Sequence, residues 1–136
     1  RGLPMSVRSS STLRVRYAET DQMGVAWHGE YLAWFEVGRT DLLRNLGLTY
    51  RELEEQGLHL PVIEAQVRYR RPALYDDLLE IRTAISHLSG ARVSFAYEVL
   101  REEGTVSLAQ GTTSHAAVDR EGRPRRLPDE LRRRLS

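Results

Sequence analysis

The segment Glu30–Leu48, EYLAWFEVGRTDLLRNLGL, limits the possible folds of this chain more than any other. Its apolar residues Tyr31, Leu32, Trp34, Phe35, Val37, Leu42, Leu43 and Leu46 cover more than one stripe of a helix, so the helix is expected to be buried on most sides. Gly47 supplies a C-terminal stop. Such a helix needs a cover, and the rest of the chain offers strands. STLRVRY (Ser11–Tyr17) alternates and reads as a first strand. Four further β-rich segments follow at Leu60–Arg71, Asp77–Leu88, Ala91–Glu102 and Thr105–Asp119. The breaks PALYD, SG, EEG and DREGRP carry turn chemistry, and the tight ones predict antiparallel hairpins. Thr49 and Glu52 form a capping-box pattern for a short helix ending near Gly57. PDELRRRL closes the chain as another short helix with Pro128 near its start. The expected class is α+β: a five-stranded antiparallel sheet wrapped around one long buried helix.

The 136 residues suit a single domain, 1–136, with residues 1–10 expected to be a flexible or appended N-terminal segment. Apolar residues at 40% and charged residues at 29% argue for a globular chain and against disorder. No run approaches the roughly 18 apolar residues that span a bilayer, and nothing resembles a signal peptide. A cytoplasmic protein without membrane insertion is therefore expected. The chain has no cysteine, which excludes disulfides, thiolate nucleophiles and Cys-based metal sites. His59, His87 and His115 lack partners at metal-ligand spacing, so neither metal nor cofactor is expected. A net charge of +1 gives no field that would gather nucleic acid, and the terminal Arg132–Arg134 run is expected on a solvated helix face. All twenty basic residues are Arg, so any bound phosphate must be held by guanidinium forks or backbone amides. There is no GxGxxG or P-loop pattern.

The loop AETDQMGVAWHG leads into the long helix and carries Asp21 and His28. Residue type alone makes Asp21 a turn residue, His28 a helix-entry residue and Tyr17 a packing residue. Their arrangement says more. Tyr17 stands four residues before the Asp of a Thr20–Asp21 pair, GVAWH follows at Gly24–His28, and EYLAWFEVGR comes next. A second signature, YRRPALYDD, spans Tyr69–Asp77. Together these motifs resemble the acyl-CoA thioesterases of the hotdog fold, in the branch containing 4-hydroxybenzoyl-CoA thioesterase and the bacterial Tol–Pal-associated short-chain enzymes. The resemblance covers Arg14 to Leu127. Ala26 and Trp27 depart from the usual Val and Tyr, and Glu30 replaces the usual Asn or Ser before the helix.

The resemblance implies hydrolysis of acyl-CoA thioesters to free CoA and a carboxylic acid, with Asp21 as base or nucleophile. Physical chemistry agrees, because a thioester needs a positioned base or nucleophile and a donor for the developing oxyanion. A carboxylate beside a buried helix is expected to be partly desolvated and so more basic. Backbone amides around Trp27 and His28, at the helix entry, are the expected oxyanion donors. The resemblance further implies that His28 positions substrate or water, and that the Tyr17 hydroxyl holds the carboxylate or the carbonyl. Arg70, Arg71 and Arg92 are candidates for the CoA phosphates; if Arg70 and Arg71 lie in a strand they point to opposite faces. Glu36 is expected in an ion pair or hydrogen bond on the buried helix, and Glu64 stays outside the site. Hotdog protomers pair sheet edges, implying a homo-oligomer, dimer or tetramer, with each acyl pocket at a subunit interface. The low charge of ARVSFAYEVL and TVSLAQGTTSHAAV suggests them as the edges that need covering. Two rival functions remain. A hotdog hydratase or dehydratase places Asp and His five apart in D.NP.H form, against seven here. A non-catalytic acyl-thioester-binding module would more naturally have lost the acid.

Overall fold

A computed structural model describes residues 7–136. The elements are β1 (Arg8–Arg14), a 3-10 turn (Tyr17–Glu19), α1 (Glu30–Asn45), α2 (Tyr50–Glu55), β2 (Val62–Tyr69), β3 (Leu78–Leu88), β4 (Arg92–Arg101), β5 (Val106–Ala116) and α3 (Asp129–Leu135). The strands form one sheet in the order β1-β3-β4-β5-β2, and every pair is antiparallel. This is the architecture expected of a hotdog fold. β1 starts earlier than its alternation suggested: Arg8, Ser9 and Ser10 pair with Ala84, Thr83 and Arg82 of β3. The expected flexible start therefore does not extend to these residues, and residues 1–6 lie outside the described part of the chain.

Two expectations about exposed surfaces change. β4 and β5, which looked like open edges, are interior strands, and their few charges reflect burial within the sheet. The open edges belong to β1 and β2. β2 is exposed along both faces, with only Val67 partly buried. Helix α1 is also not buried on most sides. Tyr31, Trp34, Phe35, Gly38, Leu42 and Leu43 form one stripe against the sheet. Leu32 is 44% exposed and Val37 38% exposed on the opposite side.

The packing of α1 is close. Phe35 is fully buried and stacks on Tyr97 of β4 with ring centroids 4.2 Å apart. A Cβ at Gly38 would stand 2.2 Å from the Thr83 hydroxyl oxygen, so only glycine lets the helix lie this near β3. The helix ends as the sequence requires. Gly47, at φ +81°, donates to the Arg44 carbonyl, and Leu48 donates to that of Leu43. Arg134 of α3 also donates to the Leu46 carbonyl at 3.0 Å, so one terminal arginine docks rather than lying free in solvent. At α2 the Thr49 hydroxyl accepts from the Glu52 amide at 3.1 Å, the N-cap half of the expected box.

Beneath α1 runs a chain of polar contacts with fixed directions. A carbonyl can only accept, so the His115 Nδ1–H donates to Leu60 O at 2.9 Å. The neutral ring then accepts at Nε2 from the Thr113 hydroxyl at 2.9 Å, and Thr113 accepts from Tyr97 at 2.5 Å. Arg39 donates to the Tyr97 oxygen at 3.5 Å and to Tyr50 at 3.2 Å. Burial lowers the His115 pKa to about 4 from 6.5. Between those values the unfolded chain binds a proton that the folded one does not, so folding stability rises with pH across this window. The contribution is complete above pH 6.5 and is lost as pH falls towards 4, amounting to about 3 kcal/mol. Urea unfolding at pH 7 and pH 4.5 should show the loss in the wild type, and His115→Asn should remove most of that pH dependence.

Candidate active site

The Asp21 loop folds as a short hairpin. Thr20 and Ala26 form an antiparallel bridge, Asp21 N–H donates to Val25 O at 2.9 Å, and Gly24 turns the chain at φ +81°. The Asp21 carboxylate helps to hold this turn. Its Oδ1 accepts from the amides of Met23 at 2.8 Å and Val25 at 3.4 Å. Its Oδ2 accepts from no donor among the described residues, which leaves one oxygen open for chemistry. In the single protomer Asp21 is exposed, not desolvated as expected.

The amides at the helix entry are only partly those anticipated. Trp27 N–H donates to Glu19 O at 2.9 Å, which removes it as an oxyanion donor. The amides of Glu30, Tyr31 and Leu32 donate to Trp27, His28 and Gly29 respectively. His28 and Gly29 are left, with no hydrogen bond to their N–H groups among the described residues. Gly29 is the N-cap of α1, so both amides lie at its positive end. The Trp27 ring lies over Gly29, where a Cβ would approach to 1.9 Å, and packs on His28 with centroids 4.7 Å apart.

Tyr17 does not reach Asp21. It is 77% exposed, its ring meets Tyr75 edge-on at 5.7 Å, and its hydroxyl bonds to no described residue. The sequence reading missed three residues that the structure brings to the loop. Glu19 is buried at 7% exposure; its Oε1 accepts from Arg16 N at 2.8 Å and its Oε2 from Trp34 Nε1 at 3.2 Å. With its carbonyl on Trp27, it ties both ends of the hairpin to α1. Tyr69, at the end of β2, donates its hydroxyl to His28 O at 2.7 Å, and Tyr31 meets the Tyr69 ring edge-on at 4.9 Å. Burial raises the pKa of both phenols, so each stays protonated at neutral pH. Their signal in the sequence was only that Tyr69 opens YRRPALYDD and Tyr31 begins the helix.

A cavity of about 250 Å³ lies beside this entry, lined by Ala26, His28, Tyr31, Tyr69, Arg70, Arg71 and Pro72. β2 stops at Tyr69, so strand alternation does not separate Arg70 from Arg71. Both donate their amides to Leu108 O, at 2.8 and 3.1 Å, and both line the cavity. Arg92 is elsewhere. It begins β4 beside Ala116, whereas Tyr69 pairs with Ala109, which pairs with Val99. The seven-residue step from Arg92 to Val99 along β4 amounts to about 23 Å. Within one protomer the three arginines are not one clamp. A larger cavity of about 540 Å³, lined by Glu36, Arg39, Tyr50, His59 and Leu60 among others, lies towards the start of β2. Glu36 is exposed there and makes none of the expected ion pairs or hydrogen bonds among the described residues.

Residues 15–135 match the model of the thioesterase-like superfamily. The chain belongs to this family. The acyl-CoA thioesterase YbgC of Haemophilus influenzae is 39% identical over 111 residues, covering 81% of this chain and 80% of that protein. The DHNA-CoA thioesterase of Staphylococcus aureus superposes with a TM-score of 0.84 at 35% identity, over 88% of this chain and 80% of that one. A 4-hydroxybenzoyl CoA thioesterase mutant complexed with 4-hydroxybenzoyl CoA superposes with a TM-score of 0.87, over 96% of this chain and all of that one. Its identity is 19%, so this last likeness speaks to the hotdog fold alone. No described helix in this family member is long and apolar enough to cross a membrane.

Proposed function

We propose that this protein is an acyl-CoA thioesterase in which Asp21 acts as base or nucleophile and the amides of His28 and Gly29 receive the oxyanion. The observation that carries the reading is an Asp21 oxygen and two amides, all without partners among the described residues, at the two ends of one braced hairpin. A thioester carbonyl polarised by such donors is open to attack by the carboxylate or by a water that it deprotonates. His28, half a turn before α1, supplies a ring that positions substrate or water at the cavity mouth. A thiol-release screen across short, long and aromatic acyl-CoAs tests the reading. Turnover on at least one is expected, and none on any would remove it. A hydratase is disfavoured by the Asp–His spacing, and a binding-only role by the retained Asp21.

Oligomerisation through β2 supports the same site. β2 is an edge strand exposed on both faces, including the apolar side chains of Val62 and Ile63. Edges of this kind are ordinarily covered. Two-fold antiparallel pairing of β2 would set the Val62 end of one protomer against the Tyr69 end of the other. The 540 Å³ cavity and Arg92 of one copy would then adjoin Asp21, His28 and Arg70 of the second. Static light scattering at micromolar concentration should give two or four times the protomer mass. A protomer mass would contradict a shared site.

The arginines can be separated by substrate. Arg70→Ala and Arg71→Ala should raise KM for acyl-CoA by about 10-fold with kcat largely kept, the scale of one charge-assisted contact. The matching acyl-pantetheine, which lacks the nucleotide, should be affected much less. Equal effects on the two substrates would point to damage of the cavity instead. Arg92→Ala should follow the same pattern only if a partner brings Arg92 to the site.

A further inference from the structure

The motif YRRPALYDD contributes Tyr69, Arg70, Arg71 and Pro72 to the lining of the 250 Å³ cavity, but its second half, ALYDD, lines none of it. Its contacts run to the catalytic hairpin. Ala73 O accepts from Ala26 N at 2.8 Å, Ala73 N donates to the Tyr31 hydroxyl at 3.3 Å, and Leu74 bridges Val25. Residues 25 and 26 connect Asp21 to His28, so whatever fixes residues 72–74 fixes the relation between acid and amides. Backbone bonds between Val15 and Asp76–Asp77 hold the far end of this loop, and a charged pair holds residues 72–74. Arg101, the last residue of β4, donates through Nη1 to Pro72 O at 3.1 Å and to Asp77 Oδ2 at 3.2 Å. The same Asp77 oxygen accepts from Leu74 N at 2.9 Å, and Asp77 N–H donates to Leu74 O at 3.0 Å. Both side chains are mostly shielded, at 21% and 23% exposure, where a charge-assisted contact is weakened less by water and salt. Asp76 turns this loop at φ +71°, a left-handed conformation that Asp adopts more readily than most non-glycine residues.

We propose that Asp77 and Arg101 are positioning residues that hold the Asp21 carboxylate in register with the His28 and Gly29 amides through the backbone of residues 72–74. The chain of contacts runs from the rigid sheet at Arg101, through Pro72 and Asp77, to Ala73 and Leu74, and then to Val25 and Ala26. This inference rests on the proposed thioesterase reading for its effect on rate, but the brace itself is independent of that reading.

The test uses the intact protein with Arg101→Met, Asp77→Asn and Arg101→Lys. Hydrogen exchange at the Ala26 amide, which bonds to Ala73 O, reports the brace. Steady-state hydrolysis of the best acyl-CoA from the screen reports its effect on chemistry. For Arg101→Met and Asp77→Asn, Ala26 exchange should accelerate at least about 10-fold while amides in β4 and β5 keep their protection. Over the same comparison kcat should fall at least about 10-fold with KM within about twofold, as expected for lost orientation rather than lost binding. Arg101→Lys, which keeps a cation but not the planar fork, should fall between. Unchanged Ala26 protection, or a kcat unaffected despite faster exchange, would overturn the proposal. Loss of protection throughout the sheet in both variants would also overturn it, by making the pair a general stability element. Should the wild type hydrolyse no thioester, the thioesterase reading falls, and the brace is judged by Ala26 exchange alone.

Discussion

Asp21→Asn should lower kcat by at least about 100-fold, the scale of removing a base or nucleophile. The structure makes this substitution a clean one. Asp21 Oδ1 accepts from Met23 and Val25 and thereby shapes the hairpin. The amide oxygen of Asn can keep both bonds, whereas Oδ2, which has no partner among the described residues, becomes an amide group without basicity. Folding should therefore be preserved, and the thermal midpoint should stay close to that of the wild type. Asp21→Ala should be worse in both respects, because it also removes the acceptor that closes the turn. Stopped assays of thiol release with the purified variants, together with calorimetry, measure both quantities. An Asn variant turning over near the wild-type rate would exclude Asp21 from the reaction.

Phe35→Ala should produce the largest loss of stability. Phe35 is fully buried, stacks flat on Tyr97, and its ring edge lies 2.6 Å from where a Cβ on Gly111 would stand. Its removal leaves a cavity at the centre of the helix–sheet contact that neither the backbone of β5 nor the helix can easily fill. Truncations of this kind cost about 3–5 kcal/mol, a large share of the 5–15 kcal/mol typical of a folded domain. Urea denaturation of the two proteins at pH 7 measures the difference. A loss below about 1 kcal/mol would mean that the helix is not held by this stack.

The fold was readable because its signals are local and periodic. The alternation in β3, β4 and β5, the turn residues between them, and Gly47 and Gly57 at helix ends are each dictated within a few residues of sequence. Strand order is not local. Nothing in ARVSFAYEVL says whether two neighbours or one will flank it, and a strand buried between neighbours carries as few charges as an edge awaiting a partner. That is why the sequence points to β4 and β5 as edges, although β2, with Glu64, Gln66 and Arg68 along it, is an edge and they are not. The apolar excess of α1 had the same ambiguity: Leu32 and Val37 are apolar without being covered in the protomer. At the candidate site, the motif singles out Asp21 and His28, but it does not say which amides are left without partners. Whether Trp27 N–H is free depends on where the Glu19 carbonyl points, and that is fixed only when the 3-10 turn packs on α1. Arg92 was grouped with Arg70 and Arg71 by chemistry alone, and the sheet separates them by most of its length.

The hydrogen bond from Tyr69 to His28 O has a consequence for how the helix entry works. The peptide group is planar, so the His28 carbonyl and the Gly29 N–H are two ends of one stiff plate. By gripping the carbonyl, the Tyr69 hydroxyl sets the direction in which the opposite N–H points, and it polarises that N–H as a stronger donor. The hand on this plate belongs to the last residue of the open-edged strand β2. Any event that shifts that strand, such as the arrival of a second sheet along it, would therefore turn the amide as a lever turns a dial.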